Sequence, residues 1–379
     1  MKNTLLAFIA LPLMIACSPS KENKMDYSQI NFSMDTVLVD SKEEILFLQY
    51  NVSLSDFSND KRFLYNFSLH DHSIEKIDLD KLEFVERLPF QKDGPNGVGE
   101  YVGVFQMVDD EMFYISSFFE RGIYNLSGEK LNNLKFDDIE LSPSIPKDYY
   151  FSSTNIFIPQ SQDEVLGIVE NWESRTFQMG IVKVKDKYWE GLPIPEFDFL
   201  KDFHISLMGE RGPMAITGWW LSLNQVNHKM ILSNNVGADF YIFDYHDREL
   251  AHISFDHQLF PKRKMGSYPR KVESKEVFDQ INREFGEEIN FFAPVWDEVN
   301  QRYYRFAYQN IWKEVEGEMK NTGAKVFISI LDKDFKILKE SQVDVLDKRP
   351  NYHFVKDGKI WIFENMDDEM AFVRLSIMP

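Results

Sequence analysis

Phe240-Tyr241-Ile242-Phe243-Asp244-Tyr245-His246-Asp247-Arg248-Glu249-Leu250 is the stretch that decides the fold class. An aromatic-rich apolar run ends in a short polar corner, and a second run begins at Leu250. This is the pattern of two antiparallel strands joined by a tight turn. Leu69-His70-Asp71-His72-Ser73 leads in the same way into Ile74, and Leu126-Ser127-Gly128-Glu129 into Leu131. Val184-Lys185-Asp186-Lys187 leads into Tyr188, and Leu331-Asp332-Lys333-Asp334 into Phe335. Five hairpins of one kind constitute a repeat.

Tyr65, Tyr124, Ile181, Ile242 and Ile328, one from the first strand of each hairpin, together with Val373 in the last strand, are separated by 59, 57, 61, 86 and 45 residues. Each interval accommodates four short strands and their loops, the unit of a propeller blade. The last unit supplies three strands (352–355, 359–364 and 370–377), while residues 35–39 form an orphan strand. Pairing the orphan with the last strand completes a sixth unit and removes two exposed sheet edges. The expected architecture is all-β, a six-bladed β-propeller with one short helical insertion near residues 272–287. Within that insertion Val277, Phe278, Ile281 and Phe285 share one helical stripe and Ser274 is placed to cap. Tandem β-sandwiches are the alternative, against which no Pro/Gly/Ser-rich linker divides the chain after residue 35.

Composition agrees with a large β core. Hydrophobic residues make up 44% of the 379 and aromatics 15%, including 33 Phe and 16 Tyr, side chains that pack well on pleated surfaces. The formal charge of −19 is dispersed along the chain and disfavours a nucleic-acid backbone as partner.

The N-terminus reads as an address. Lys2 supplies a positive start, Leu5 to Ile15 form an apolar run too short for a permanent span, and Met14-Ile15-Ala16-Cys17 resembles the lipobox of bacterial lipoproteins. Cys17 is the only cysteine, so no internal disulfide is expected. Residues 1–16 are thus expected to be a lipoprotein signal peptide, Cys17 the lipid attachment site, 17–34 a flexible tether, and 35–379 one propeller domain. Loss of Lys2 takes the mature chain to −20. Ser18 follows the cysteine where an Asp would, in enteric lipoproteins, retain the protein on the inner membrane. The expected location is the outer membrane, facing the periplasm or the surface.

Asp93-Gly94-Pro95-Asn96-Gly97-Val98-Gly99-Glu100-Tyr101 resembles the Gly-Pro-Gly-Glu-Tyr segment of TolB-like six-bladed propeller lipoproteins of Bacteroidota, a family of uncharacterised domains, with Asn-Gly-Val added. The resemblance spans the mature chain and implies the fold while saying little of function. Read by themselves, these glycines are turn residues and not a phosphate cradle: no Gly-Lys-Ser/Thr ending is present and a strand follows.

Catalytic and metal motifs are weak. His70 and His72 flank Asp71, but the repeat places them at an outer corner equivalent to Lys185 and Lys187. Ser18-Pro19-Ser20-Lys21 falls in the tether, where nothing orients the lysine. Neither a metal nor a cofactor is expected. A propeller offers one concave site, its channel mouth, lined by loops between blades and between second and third strands. Those loops carry the candidate ligand-binding residues Arg121, Trp172, Arg175, Arg263, Arg270 and Arg349. Of these, Arg263 and Arg270 belong to the basic run from Pro261 to Lys271. Trp219-Trp220 reads as half core. The expected function is a lipid-anchored, monomeric envelope protein whose propeller binds a protein or glycan partner without chemistry. A glycan hydrolase or lyase acting through carboxylates or Arg at the mouth is the alternative, and its signature is two carboxylates close together there.

Overall fold

The computed structural model describes residues 30–171 and 173–378. Residues 1–29, which hold the expected signal peptide, Cys17 and most of the expected tether, and Trp172 lie outside the described residues. The described chain is all-β, built largely from five four-stranded antiparallel sheets and one of five strands that follow one another in sequence. Their innermost strands are Ser55–Phe57, Val102–Asp109, Tyr149–Phe157, Leu221–Val226, Asn290–Phe291 continued by Val295–Asp297, and His353–Lys356. Within each sheet the strands run as a meander from this inner strand outward.

The sixth sheet takes its outermost strand from the other end of the chain. Asn31–Leu38 pairs antiparallel with Glu369–Met378, with Asp35 opposite Arg374 and Val37 opposite Phe372. The sequence implied this pairing. The strand begins earlier than expected, so residues 31–34, assigned to the tether, belong to the sheet.

Period-2 alternation in the middle strands explains how the sheets pack, because neighbouring residues face opposite ways. Phe113 and Ile115 enter a core with Tyr65, Phe67 and Ile74 of the first sheet. Tyr114 turns to Val165 and Val169 of the third. Leu166 and Ile168 meet Met230 and Leu232, joining the third sheet to the fourth. Ile231 and Phe240 meet Tyr303 and Phe327 of the fifth. Phe306 and Ile328 meet Ile360 and Ile362 of the sixth. A sixth core closes the series by packing Phe363 and Phe372 of the last sheet against Leu64 and Ile77 of the first. These strands are buried on both faces and read as continuous apolar runs. The outer strands, such as Glu83–Pro89, are largely exposed.

Two sheet-to-sheet connections are enlarged. Between the third and fourth sheets lie a 3₁₀ segment, Pro195–Phe203, and the hairpin His204–Gly209 and Gly212–Gly218. Between the fourth and fifth lie Lys271–Val272 and helix α1, Lys275–Glu287. Lys271–Val272 pairs parallel with His204–Gly209, forming a three-stranded sheet against which α1 packs through Phe278 and Ile281. Ser274 Oγ accepts from Val277 N at the helix start. Val277, expected in the buried stripe, is 44% exposed, so the stripe is Phe278, Ile281 and Phe285.

One register differs from the sequence reading. The corners at 126–129, 184–187, 245–248 and 331–334 join third to fourth strands, whereas His70–His72 joins the second to the third. The equivalent corner in the first sheet is Leu79–Leu82. In a meander, second-to-third turns lie at the opposite end from third-to-fourth turns, so His70 and His72 lie with the sheet-linking segments and are not counterparts of Lys185 and Lys187.

Candidate functional site

The six inner strands converge on one cavity of about 780 Å³. Its walls are made of short polar side chains that interrupt otherwise apolar strands: Ser55, Gln106, Thr154, Asn155, Asn224 and Gln225 among them. Several of these polar groups also hold neighbouring sheets together. Gln106 accepts from Phe157 N at 2.8 Å, donates to Phe157 O at 3.1 Å, and reaches Gln225 Oε1 at 2.8 Å. One side chain of the second sheet thereby binds the third and touches the fourth. Tyr114 OH donates to Asn155 Oδ1 at 2.6 Å. Tyr352 OH donates to Ser55 O at 3.1 Å, and Lys61 Nζ to Val355 O at 3.0 Å, which ties the sixth sheet to the first.

Among the lining residues the charged groups are Asp56, Glu298 and Lys61. Asp56 is half-buried, enclosed by protein with its free surface toward the cavity. Its two oxygens accept from Phe57 N at 2.9 Å and Met107 N at 2.8 Å. Burial outweighs these bonds and pushes its pKa up to about 6. Burial likewise lowers the Lys61 ammonium, against the pull of Glu298, Asp297 and Asp56. His353, also on the wall, bonds Asn351 O through Nδ1 at 2.9 Å and packs edgewise on Phe292 and Phe306. Burial holds its pKa down to about 4, so the ring is neutral at pH 7. With the Nδ1 proton committed, its Nε2 is a bare acceptor without a protein partner.

None of the described arginine candidates lines this cavity. Arg121 is buried and pairs with Asp137 over the Phe136 ring. Arg175 is largely buried on Glu170, at 2.6 Å. Arg349 is exposed and lies 5.4–5.8 Å from the rings of Trp220, Phe292 and Tyr308. Arg263 and Arg270 do come together, lining a second cavity of about 380 Å³ beside the 3₁₀ segment. Trp219 packs on Phe177 at 4.7 Å, whereas Trp220 is 39% exposed. Among the described residues no group of three or more His, Cys, Asp or Glu is placed to hold a metal ion. No described helix is long and apolar enough to cross a membrane.

The glycine-rich segment is a turn, with Gly97 O accepting from Tyr124 OH at 2.8 Å. Gly99 has φ +84°, and a Cβ there would lie 2.4 Å from Ser117 Oγ, so glycine is required.

Residues 28–342 match the family described as Domain of unknown function (DUF4221). The chain belongs to that family. A member of the family from Bacteroides vulgatus, 16% identical, aligns with a TM-score of 0.63 over 93% of this chain and 99% of its own. A Bacteroides fragilis protein, 10% identical, aligns at 0.49 over 92% of this chain and 96% of its own. An auxiliary nutrient binding protein from Bacteroides thetaiotaomicron, also 10% identical, aligns at 0.40 over 92% of this chain and 77% of its own. No curated protein matches the chain.

Proposed function

We propose that this chain is a six-bladed β-propeller anchored to the outer membrane through Cys17, and that its central cavity binds a neutral saccharide without transforming it. The single observation that carries the reading is the cavity wall. All six inner strands meet there, and the first four present hydroxyls and carboxamides, groups that donate and accept as sugar hydroxyls do. About 780 Å³ falls in the range of ligand sites. The circular succession of six cores, with Asn31–Leu38 closing the last sheet, supports a propeller over tandem sandwiches.

A hydrolase reading draws on the two cavity carboxylates, Asp56 and Glu298, and on the raised pKa of Asp56. A general acid must offer its proton to a leaving oxygen. Both Asp56 oxygens already accept backbone N–H groups of adjacent sheets, so its role is to join sheets and binding is the better reading.

The test is a glycan array followed by calorimetry on the purified chain and on Asn224→Leu, a change on an inner strand. A neutral glycan that binds the wild-type chain at least about tenfold more tightly than Asn224→Leu supports the reading, as loss of a paired polar contact requires. Equal binding by both, or no neutral glycan bound, contradicts it.

A further inference from the structure

The second cavity has a different chemistry from the first. Its near wall is formed by residues 263–268 and Arg270, part of the run Pro261–Lys271 that carries five basic residues and no acid in a chain of charge −19. The loop is firmly built. Lys264 is 1% exposed, and its Nζ donates to Phe285 O at 2.6 Å and Asn290 Oδ1 at 2.9 Å over the Phe285 ring. Glu288 gathers the next turn by accepting from Met265 N, Gly266 N and Tyr268 OH. Main-chain bonds from Ala238 N to Lys262 O and from Ser206 N to Arg270 O fasten both ends of the loop.

This scaffold presents two guanidinium groups beside aromatic surface. Phe199, Phe203 and Tyr268 line the cavity together with Arg263, Arg270 and one acid, Asp202. Arg263 lies 5.8 Å from the Phe199 ring, and no carboxylate of the described residues pairs with it. Arg270 is shared with Asp202 at 2.9 Å, both groups more than half exposed, so that pair is weak and exchangeable. Glu288 is committed to the loop's own donors, while Lys262 and Lys271 extend the positive surface on either side.

We infer that the cavity between Pro195–Phe203 and residues 263–270 is an anion site that takes a carboxylate carried on a sugar ring, that is, a hexuronate. The guanidinium groups pair with the carboxylate, and the aromatic walls take the apolar face of the ring. The site is separate from the central cavity and does not depend on the reading given to it.

The probe is D-glucuronate, with D-glucose as its uncharged counterpart, titrated into the full chain at low and high NaCl. The variants are Arg263→Ala/Arg270→Ala, both at exposed positions, and Asn224→Leu in the central cavity. Glucuronate binding is expected to weaken severalfold in high salt and to lose at least about tenfold in the double arginine variant while Asn224→Leu leaves it unaffected, whereas any glucose binding is indifferent to salt and to the arginine changes. Glucose binding lost with the arginine changes just as glucuronate binding is, no measurable glucuronate binding, or glucuronate binding untouched by the arginine changes overturns the inference. Loss of glucuronate binding in Asn224→Leu alone would place the anion in the central cavity and overturn it as well.

Discussion

Asp56→Asn tests whether the central cavity is as enclosed as its walls imply. The native carboxyl titrates near pH 6, against 3.8 for the ordinary group, because burial disfavours its charged form. Between those values the folded chain holds the proton that the unfolded chain has released. Stability therefore falls as pH rises from about 4 to about 6 and is flat above. About two pKa units correspond to about 3 kcal/mol of destabilisation at neutral pH. Between pH 4.5 and 7.5 the part that develops is about 2 kcal/mol. Asparagine does not titrate, and its one carbonyl oxygen can serve Phe57 N or Met107 N but not both. That loss costs about 1 kcal/mol at every pH. The assay is urea unfolding followed by the fluorescence of the chain's seven tryptophans, at concentrations low enough to stay soluble near the isoelectric point of 4.9. The stability of Asp56→Asn relative to wild type should improve by about 2 kcal/mol between pH 4.5 and 7.5. A difference constant across that interval would refute the claim that Asp56 sits in an enclosed, poorly hydrated cavity.

Other outcomes follow from the same structure. Lys264 has its pKa pulled down to about 7, so the unfolded chain binds the extra proton between pH 7 and 10.5 and stability should rise with pH there. Lys264→Met should abolish that rise, read as melting temperature against pH. Phe372→Ala in the core joining the last sheet to the first should cost about 3–5 kcal/mol in chemical unfolding. Asp35→Ala, which removes the half-exposed Arg374 pair on the closing strand, should cost less than about 1 kcal/mol. Cys17→Ala should leave the chain unlipidated and release it from the membrane fraction, and undiminished membrane association would contradict the anchor.

What the sequence disclosed follows from what local physics encodes. Polar corners between apolar runs locate hairpins because turn chemistry is local, and Ser274 with Phe278, Ile281 and Phe285 locates the helix for the same reason. The register of a repeat is less local: the first sheet has two similar corners, His70–His72 and Leu79–Leu82, and only pairing distinguishes them. The hairpin 204–218 passed unnoticed because Gly212, Pro213 and Gly218 interrupt its apolar alternation. Loop arginines drew attention as charges at expected channel-mouth loops. Of these, Arg263 and Arg270 share a cavity, whereas Arg121 is buried and pairs with exposed Asp137. The cavity residues carried a signal that charge counting overlooks. Gln106 in Val104-Phe105-Gln106-Met107, Asn155 before Ile156-Phe157, and Asn224-Gln225 after Leu223 are polar positions recurring in the first strand of successive units. In a strand packed between sheets such positions find partners, as Gln106 and Asn155 do, or line a cavity, as Asn224 and Gln225 do.

A crystal structure of the chain grown with the neutral glycan selected on the array would locate the binding site outright. The sugar is expected within the cavity ringed by the six inner strands, hydrogen-bonded to side chains such as Asn224 and Gln225. A sugar seated on an outer face, with the central cavity holding only water, would contradict that expectation.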